Sequence, residues 1–239
     1  MTTLGRDITT PARTVTAAGA TREEDAPLRF AGGLLGSLFR ARCAHCGKQR
    51  GAWCSECHSL LHDLPTSLTL RTAPEVDMVV GSGAYETLLR DAIRALKYQE
   101  IRALAAPLGD RLTHALKLAG WQFDVVIPVP LHPSRQNERG YNQAALIGAR
   151  VASAFGVPLL ADGLIRQRET VAQVGLDAEA RHVNLEGAFT VRSALVGQRV
   201  LLVDDVMTTG ATLSGCAAAL HQVAPTAIYG AVVASTAQP

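Results

Sequence analysis

The chain has 239 residues, 48% of them hydrophobic and 18% charged, with a formal net charge of +2. That much apolar material supports a packed core, and so small a charge excludes a partner held by an overall positive field, so any basic surface has to be local. No window approaches the roughly 18 uninterrupted apolar residues of a membrane span, and the apolar stretch nearest the start is broken by Gly32, Gly33 and Gly36; neither a span nor a signal peptide is expected, and a cytoplasmic location follows.

Residues 1–26 mix Arg6, Arg13 and Arg22 with Asp7, Glu23, Glu24 and Asp25 among Ala, Thr and Gly, a composition that predicts a disordered tail. Residues 27–70 then carry a cysteine module and a linker, and residues 71–239 an α/β domain. In the module, Cys43 and Cys46 form one pair and Cys54 and Cys57 another, with Gly47 behind the first as a knuckle turn prefers. Two such pairs supply the four corners of a tetrahedron, so structural Zn2+ is expected, held without His45, His58 or His62. Arg40, Arg42, Lys48 and Arg50 surround the cysteines against a single Glu56, with Trp53 among them. That set predicts either a single-stranded nucleic-acid contact or a solvated rim with Trp53 packed under the knuckle.

Residues 76 to 85 alternate as a strand. Tyr85, Leu88, Leu89, Ala92, Ile93 and Leu96 then share one helical face, which leaves Arg90, Arg94 and Lys97 on or beside the polar side. Helices are predicted over residues 103 to 118, 141 to 155 and 211 to 221, and strands over 124 to 129, 158 to 160, 198 to 204 and 226 to 234. Such alternation predicts a mostly parallel sheet with helices on both faces. Cys216, in an apolar helical pattern, reads as a small buried hydrophobe.

The most informative segment is residues 200 to 212, an apolar strand that ends in Asp204 and Asp205 and turns through Thr208, Thr209, Gly210, Ala211 and Thr212 into a helix. A parallel strand delivers its last residues to the carboxyl edge of the sheet, where open α/β folds bind ligands. Two carboxylates there suit sugar hydroxyls or Mg2+. The turn adds backbone N–H groups, hydroxyls and a helix N-terminus suited to a phosphate. An acidic pair one turn from an anion cradle suits ribose 5-phosphate. The dinucleotide string Gly-x-Gly-x-x-Gly and the NTPase string Gly-Lys-Ser/Thr are both absent from the sequence.

Residues 200 to 212 resemble the phosphoribosyl pyrophosphate motif of type I phosphoribosyltransferases. Pro128 to Arg135, Arg139 to Gln143, Gln173 to Leu176, Arg181 to Phe189 and the four cysteines follow the pattern of the ComF/GntX family. The resemblance implies a type I phosphoribosyltransferase-like fold and catalytic roles for Asp204 and Asp205. It implies a pyrophosphate loop from Pro128 to Arg135, with Val129, Pro130, Arg135 and Arg139 as contacts, and a mobile loop over residues 166 to 184 that carries Arg166, Arg168 and Arg181. The implied ligand is phosphoribosyl pyrophosphate with Mg2+. The implied activity is pentosyl transfer to an acceptor that the sequence does not identify, without a covalent intermediate. The resemblance also implies an association with DNA uptake in competence and natural transformation. The alternative is a non-catalytic protein that binds single-stranded DNA or docks a DNA-uptake helicase.

Overall fold

A computed structural model describes residues 41 to 168 and 187 to 236. The expected tail, Arg40 and Arg181 lie outside them. Apolar runs become strands and amphipathic runs become helices in the alternating order the sequence predicts. β1 (Thr69–Ala73) and β2 (Val76–Gly81) form an antiparallel hairpin, followed by α2 (Thr87–Tyr98), α3 (Ala105–Ala119) and β3 (Val125–Pro128). Then come α4 (Pro133–Arg139), α5 (Gln143–Phe155), β4 (Leu164–Arg166), β5 (Phe189–Val191), β6 (Arg199–Met207), α6 (Ala211–His221) and β7 (Ala227–Ser235). A first helix, α1 (Ser55–Asp63), precedes them in the cysteine module.

The main sheet has the order β1-β2-β7-β6-β3, parallel everywhere except at β1. The shorter β4 and β5 form a separate antiparallel pair. Residues 158 to 160, expected as a strand, pair with β3 through a single bridge between Leu159 and Val126. Pro158 has no N–H with which to lengthen that ladder.

Side chains alternate across β6. Leu201 and Val203 face a core made with α2, α3 and α5, in which Ile93, Leu96, Leu108, Leu112 and Ile147 are buried. Val200 and Leu202 face a second core with Leu213, Cys216 and Leu220 of α6. Each fully buried leucine or isoleucine contributes about 2 kcal/mol, so these two layers hold the sheet rigid beneath the site. Cys216 is wholly buried, as its apolar surroundings predict.

The cysteine module packs on the first of these cores. Leu61 of α1 is buried with α2 and α3, and Ala44, Trp53 and Leu64 pack against the same cluster. Arg111 of α3 reaches back and donates to the carbonyls of Leu64 (2.6 Å), Pro65 (2.6 Å) and Ser82 (2.8 Å). Through its two terminal nitrogens this guanidinium, whose Nε is buried without a partner, ties the chain leaving the module to the end of β2.

Candidate functional site

β6 runs on to Met207, so Asp204 and Asp205 lie inside the strand, with Asp204 opposite Val232 of β7. Consecutive strand residues point to opposite faces, and the acidic pair is divided accordingly. Asp205 turns toward the α2 side, where its Oδ1 meets Lys97 Nζ at 2.8 Å. Asp204 turns toward the α6 side, where burial and then the Asp204 charge push the Cys216 thiol up. The Asp204 side chain also accepts from the Asp205 N–H at 2.8 Å.

Asp205 is 2% exposed, and its Oδ2 is buried with no hydrogen-bond partner. An orphaned carboxylate oxygen is costly, and its retention beside a cleft suits a ligand hydroxyl that completes it. The two carboxylates do not converge on one point, so they suit Mg2+ only together with oxygens brought by a ligand, since that ion demands octahedral oxygen coordination.

Burial, then the neighbouring Asp205 charge, push the Asp204 carboxyl up to about 7, with Lys97 working against them. An unfolded aspartate titrates near about 4, so between about pH 4 and about pH 7 the folded state binds more protons than the unfolded one, and stability from this group falls as pH rises. Asp204→Asn is therefore expected to flatten the fall in unfolding free energy between about pH 5 and about pH 7.5, as measured by urea titration against wild type. Parallel curves for the two proteins would contradict it.

The turn expected to cradle an anion joins β6 to α6. Gly210 adopts φ 84° as the cap of α6, Thr209 Oγ1 accepts from the Ala211 N–H at 3.4 Å, and Thr208 is exposed. A Cβ at Gly210 would lie 2.8 Å from the Met207 methyl and 3.1 Å from Ala73 Cβ. The positive φ and the close approach together require glycine. Gly210→Ala is expected to cost about 2 kcal/mol in a denaturant titration; a cost under about 0.5 kcal/mol would mean that the turn relaxes freely.

The loop expected from β3 to Arg135 is only partly a loop. The chain turns at His132, whose side chain accepts from the Ser134 N–H, and enters α4, with Pro133 in its first turn and Gly140 (φ 74°) closing it. Proline at the start and glycine at the end of a short polar segment are a legible helix signal. The helix spaces Arg135 and Arg139 one turn apart, and both line a cleft of about 460 Å³ with Glu138 and with Lys97, Tyr98 and Glu100 from the end of α2. Arg139 also holds Gln143, and its guanidinium lies 5.4 Å from the Tyr98 ring centre. Val129 and Pro130, expected as backbone contacts, are buried and do not line the cleft; the Val129 N–H donates to Val203 O at 2.8 Å, and Pro130 has no N–H to offer.

Sequence reasoning missed Lys97 and Tyr98, which a helical wheel places beside the polar face. Tyr141 fixes this end of α2, because its hydroxyl donates to the Leu96 carbonyl and Arg102 stacks on its ring at 4.5 Å. Arg166 is a strand residue, paired with Phe189 and stacked over its ring at 5.6 Å. Arg168 lies two residues beyond it; the rest of the expected mobile loop to residue 184 falls outside the described residues.

The four cysteine sulfurs lie within 4.8 Å of one another. Thiolates at about 2.3 Å from Zn2+ stand roughly 3.8 Å apart in a tetrahedron, and the cluster fits. Burial opposes ionisation of Cys43, but the N–H groups of Cys46, Cys54 and His45 outweigh it and bring the thiol down to about 6. Burial and then hydrogen bonds to Cys54, Cys46 and Cys43 push Cys57 up. His45 makes no part of this set: its Nδ1 meets Asp91 of α2 at 2.9 Å. Of the surrounding rim, Lys48 (2.8 Å) and Arg50 both hold Glu56, and Trp53 is half-buried against the core. Among the described residues no helix is long and apolar enough to cross a membrane.

Residues 140 to 239 match the phosphoribosyl transferase domain family. The chain is 34% identical over 184 residues to competence protein F of Haemophilus influenzae, covering 72% of this chain and 75% of that protein. It is 30% identical over 179 residues to the DNA utilization protein YhgH of Salmonella typhimurium, covering 72% and 79%. Competence protein ComFC of Bacillus subtilis is 25% identical over 174 residues, covering 72% and 68%.

Proposed function

Starting from the fact that this chain belongs to the ComF/GntX family, we propose that it binds phosphoribosyl pyrophosphate and transfers the phosphoribosyl group during the handling of DNA in competence. The observation that supports this best is the divided acidic pair, with its orphaned Asp205 oxygen, joined through Lys97 to the arginine-lined cleft and followed in the chain by the Thr208 to Thr212 turn. Ribose hydroxyls donate to Asp204 and Asp205, and the 5-phosphate takes the N–H groups and hydroxyls of Thr208, Thr209, Gly210, Ala211 and Thr212. The diphosphate lies on Arg135 and Arg139, whose forked donors suit phosphoryl oxygens; Val129, whose N–H is taken by Val203, and Pro130, which has none, shape the strand end without donating to it.

In the transfer, the C1–O bond to diphosphate breaks with its electron pair leaving on oxygen, and a lone pair of the acceptor forms the new bond to C1 as the acceptor loses a proton. The protein holds the sugar through its carboxylates and stabilises the departing anion through arginines. Mg2+ arriving with the ligand would supply further charge to the diphosphate, and Zn2+ would hold Cys43, Cys46, Cys54 and Cys57 as a closed structural site.

Calorimetric titration with phosphoribosyl pyrophosphate and Mg2+ tests this. Wild type is expected to bind and Asp204→Asn to lose about tenfold or more in affinity, the worth of a charged hydrogen bond. Absence of binding by folded, zinc-loaded wild type would sink the proposal.

A second reading, a non-catalytic protein that docks single-stranded DNA or a DNA-uptake helicase, is favoured by one feature: Tyr98 is 68% exposed at the cleft beside Arg139. Aromatic and cationic groups together suit a single strand. Oligonucleotide binding that weakens with salt and with Tyr98→Ala would favour this reading over catalysis.

A further inference from the structure

Lys97 is the penultimate residue of α2, and its side chain is 19% exposed. The charged groups that face it are Asp205 and Asp204 from β6, Glu100 from beyond its own helix, and Arg135, Glu138 and Arg139 from α4. Burial opposes its charge, but Asp205 and then Asp204 outweigh burial and hold the ammonium above its ordinary value. An ammonium has three donors, and the bond to Asp205 Oδ1 at 2.8 Å uses one of them.

A pair serving stability alone gains little over well-packed apolar side chains, because desolvation offsets most of the attraction. This pair, however, stands at the wall of the cleft of about 460 Å³ into which Arg135 and Arg139 also project. Three cations from two separate helices line one space. Glu100 and Glu138, which line it too, are both exposed and therefore screened by water. Lys97 is the sheltered one, fixed by a carboxylate that is itself 3% exposed, so it needs little reorganisation to receive an anion. Its charge also answers that of Asp205, which then neither repels an arriving phosphoryl group nor demands a metal.

We propose that Lys97, positioned by Asp205, is a built-in cation of the diphosphate subsite, so that the diphosphate moiety binds without a divalent metal. This rests on the phosphoribosyl pyrophosphate reading above and assigns a residue to its leaving-group side.

The test is calorimetry of the zinc-loaded protein with inorganic pyrophosphate, in Mg2+ and, in a separate series, in a weak chelator that removes Mg2+ but leaves the zinc in place. Wild type is expected to keep its affinity within about tenfold when Mg2+ is removed. Without Mg2+, Lys97→Gln should lose about tenfold or more while Lys97→Arg keeps most of it, the range of one charge-assisted hydrogen bond. A solely structural lysine would not change the metal dependence of a ligand's affinity. Should Lys97→Gln fail to fold, the neutral pair Lys97→Met with Asp205→Asn replaces it, with the same loss expected. Wild-type binding that requires Mg2+, or Lys97→Gln binding pyrophosphate as wild type does, overturns the proposal. Phosphoribosyl pyrophosphate with Mg2+, titrated into the same wild-type sample, separates the two levels: if it binds, only the role of Lys97 falls, and if it does not, the parent reading falls with it.

Discussion

Stripping the metal from the four cysteines, by a strong chelator or by Cys54→Ser, is expected to lower the melting temperature by about 10 °C and to open residues 41 to 63 to rapid hydrogen exchange. The module's own core consists of Cys43, Cys54 and Cys57 with Trp53 against them. So little apolar surface cannot order a chain by itself, and metal binding and local folding become one event. The loss spreads because the module is packed on the body of the protein. Leu61 and Trp53 would leave the α2 and α3 core, about 2 kcal/mol each, and His45 would leave Asp91. For a chain of this size, a loss of that order moves the midpoint by roughly 2 to 4 °C per kcal/mol. Calorimetry before and after verified zinc removal decides it, and an unchanged melting temperature would show that the thiols hold the module without metal.

Lys97 and Asp205 carry the second large effect. Asp205→Asn and Lys97→Met are each expected to cost about 3 kcal/mol, because each leaves a charge buried without its partner. The double variant is expected to cost about 2 kcal/mol or less, well below the sum, because no charge is left stranded. Urea titrations of the three variants measure the coupling. Additive costs, or single costs under about 1 kcal/mol, would mean that water reaches the pair and that its geometry does not matter.

Features written in neighbouring residues are legible in the sequence alone. The spacing of Cys43, Cys46, Cys54 and Cys57 places four sulfurs within 4.8 Å because the first pair spans a tight turn and the second the opening turn of α1. The Thr208 to Thr212 turn caps α6 because Gly210 can take a positive φ. Periodicity does not find α4, although His132, Pro133 and Gly140 announce it; its apolar content is too low to register. Trp53 has two readings in the sequence, and its half-buried packing against the α2 and α3 core is a tertiary contact that neither of them contains. The division of Asp204 and Asp205 between two faces escapes the sequence reading, because it depends on β6 continuing to Met207 alongside β7.

By itself, then, the sequence determined the cysteine cluster, the glycine turn that starts α6 and the alternation of helix and strand that makes a mostly parallel sheet, since capping, turn chemistry and periodicity act over a few residues. Only the tertiary structure decided that Lys97 would stand on Asp205, that Arg135 and Arg139 would share its cleft, and that Arg111 would clasp the chain leaving the module. Each of these joins segments brought together by the crossover connections of the sheet. A lysine at the edge of an amphipathic helix looks the same in sequence whether it meets water or a buried carboxylate, because what separates the two is the path of the rest of the chain.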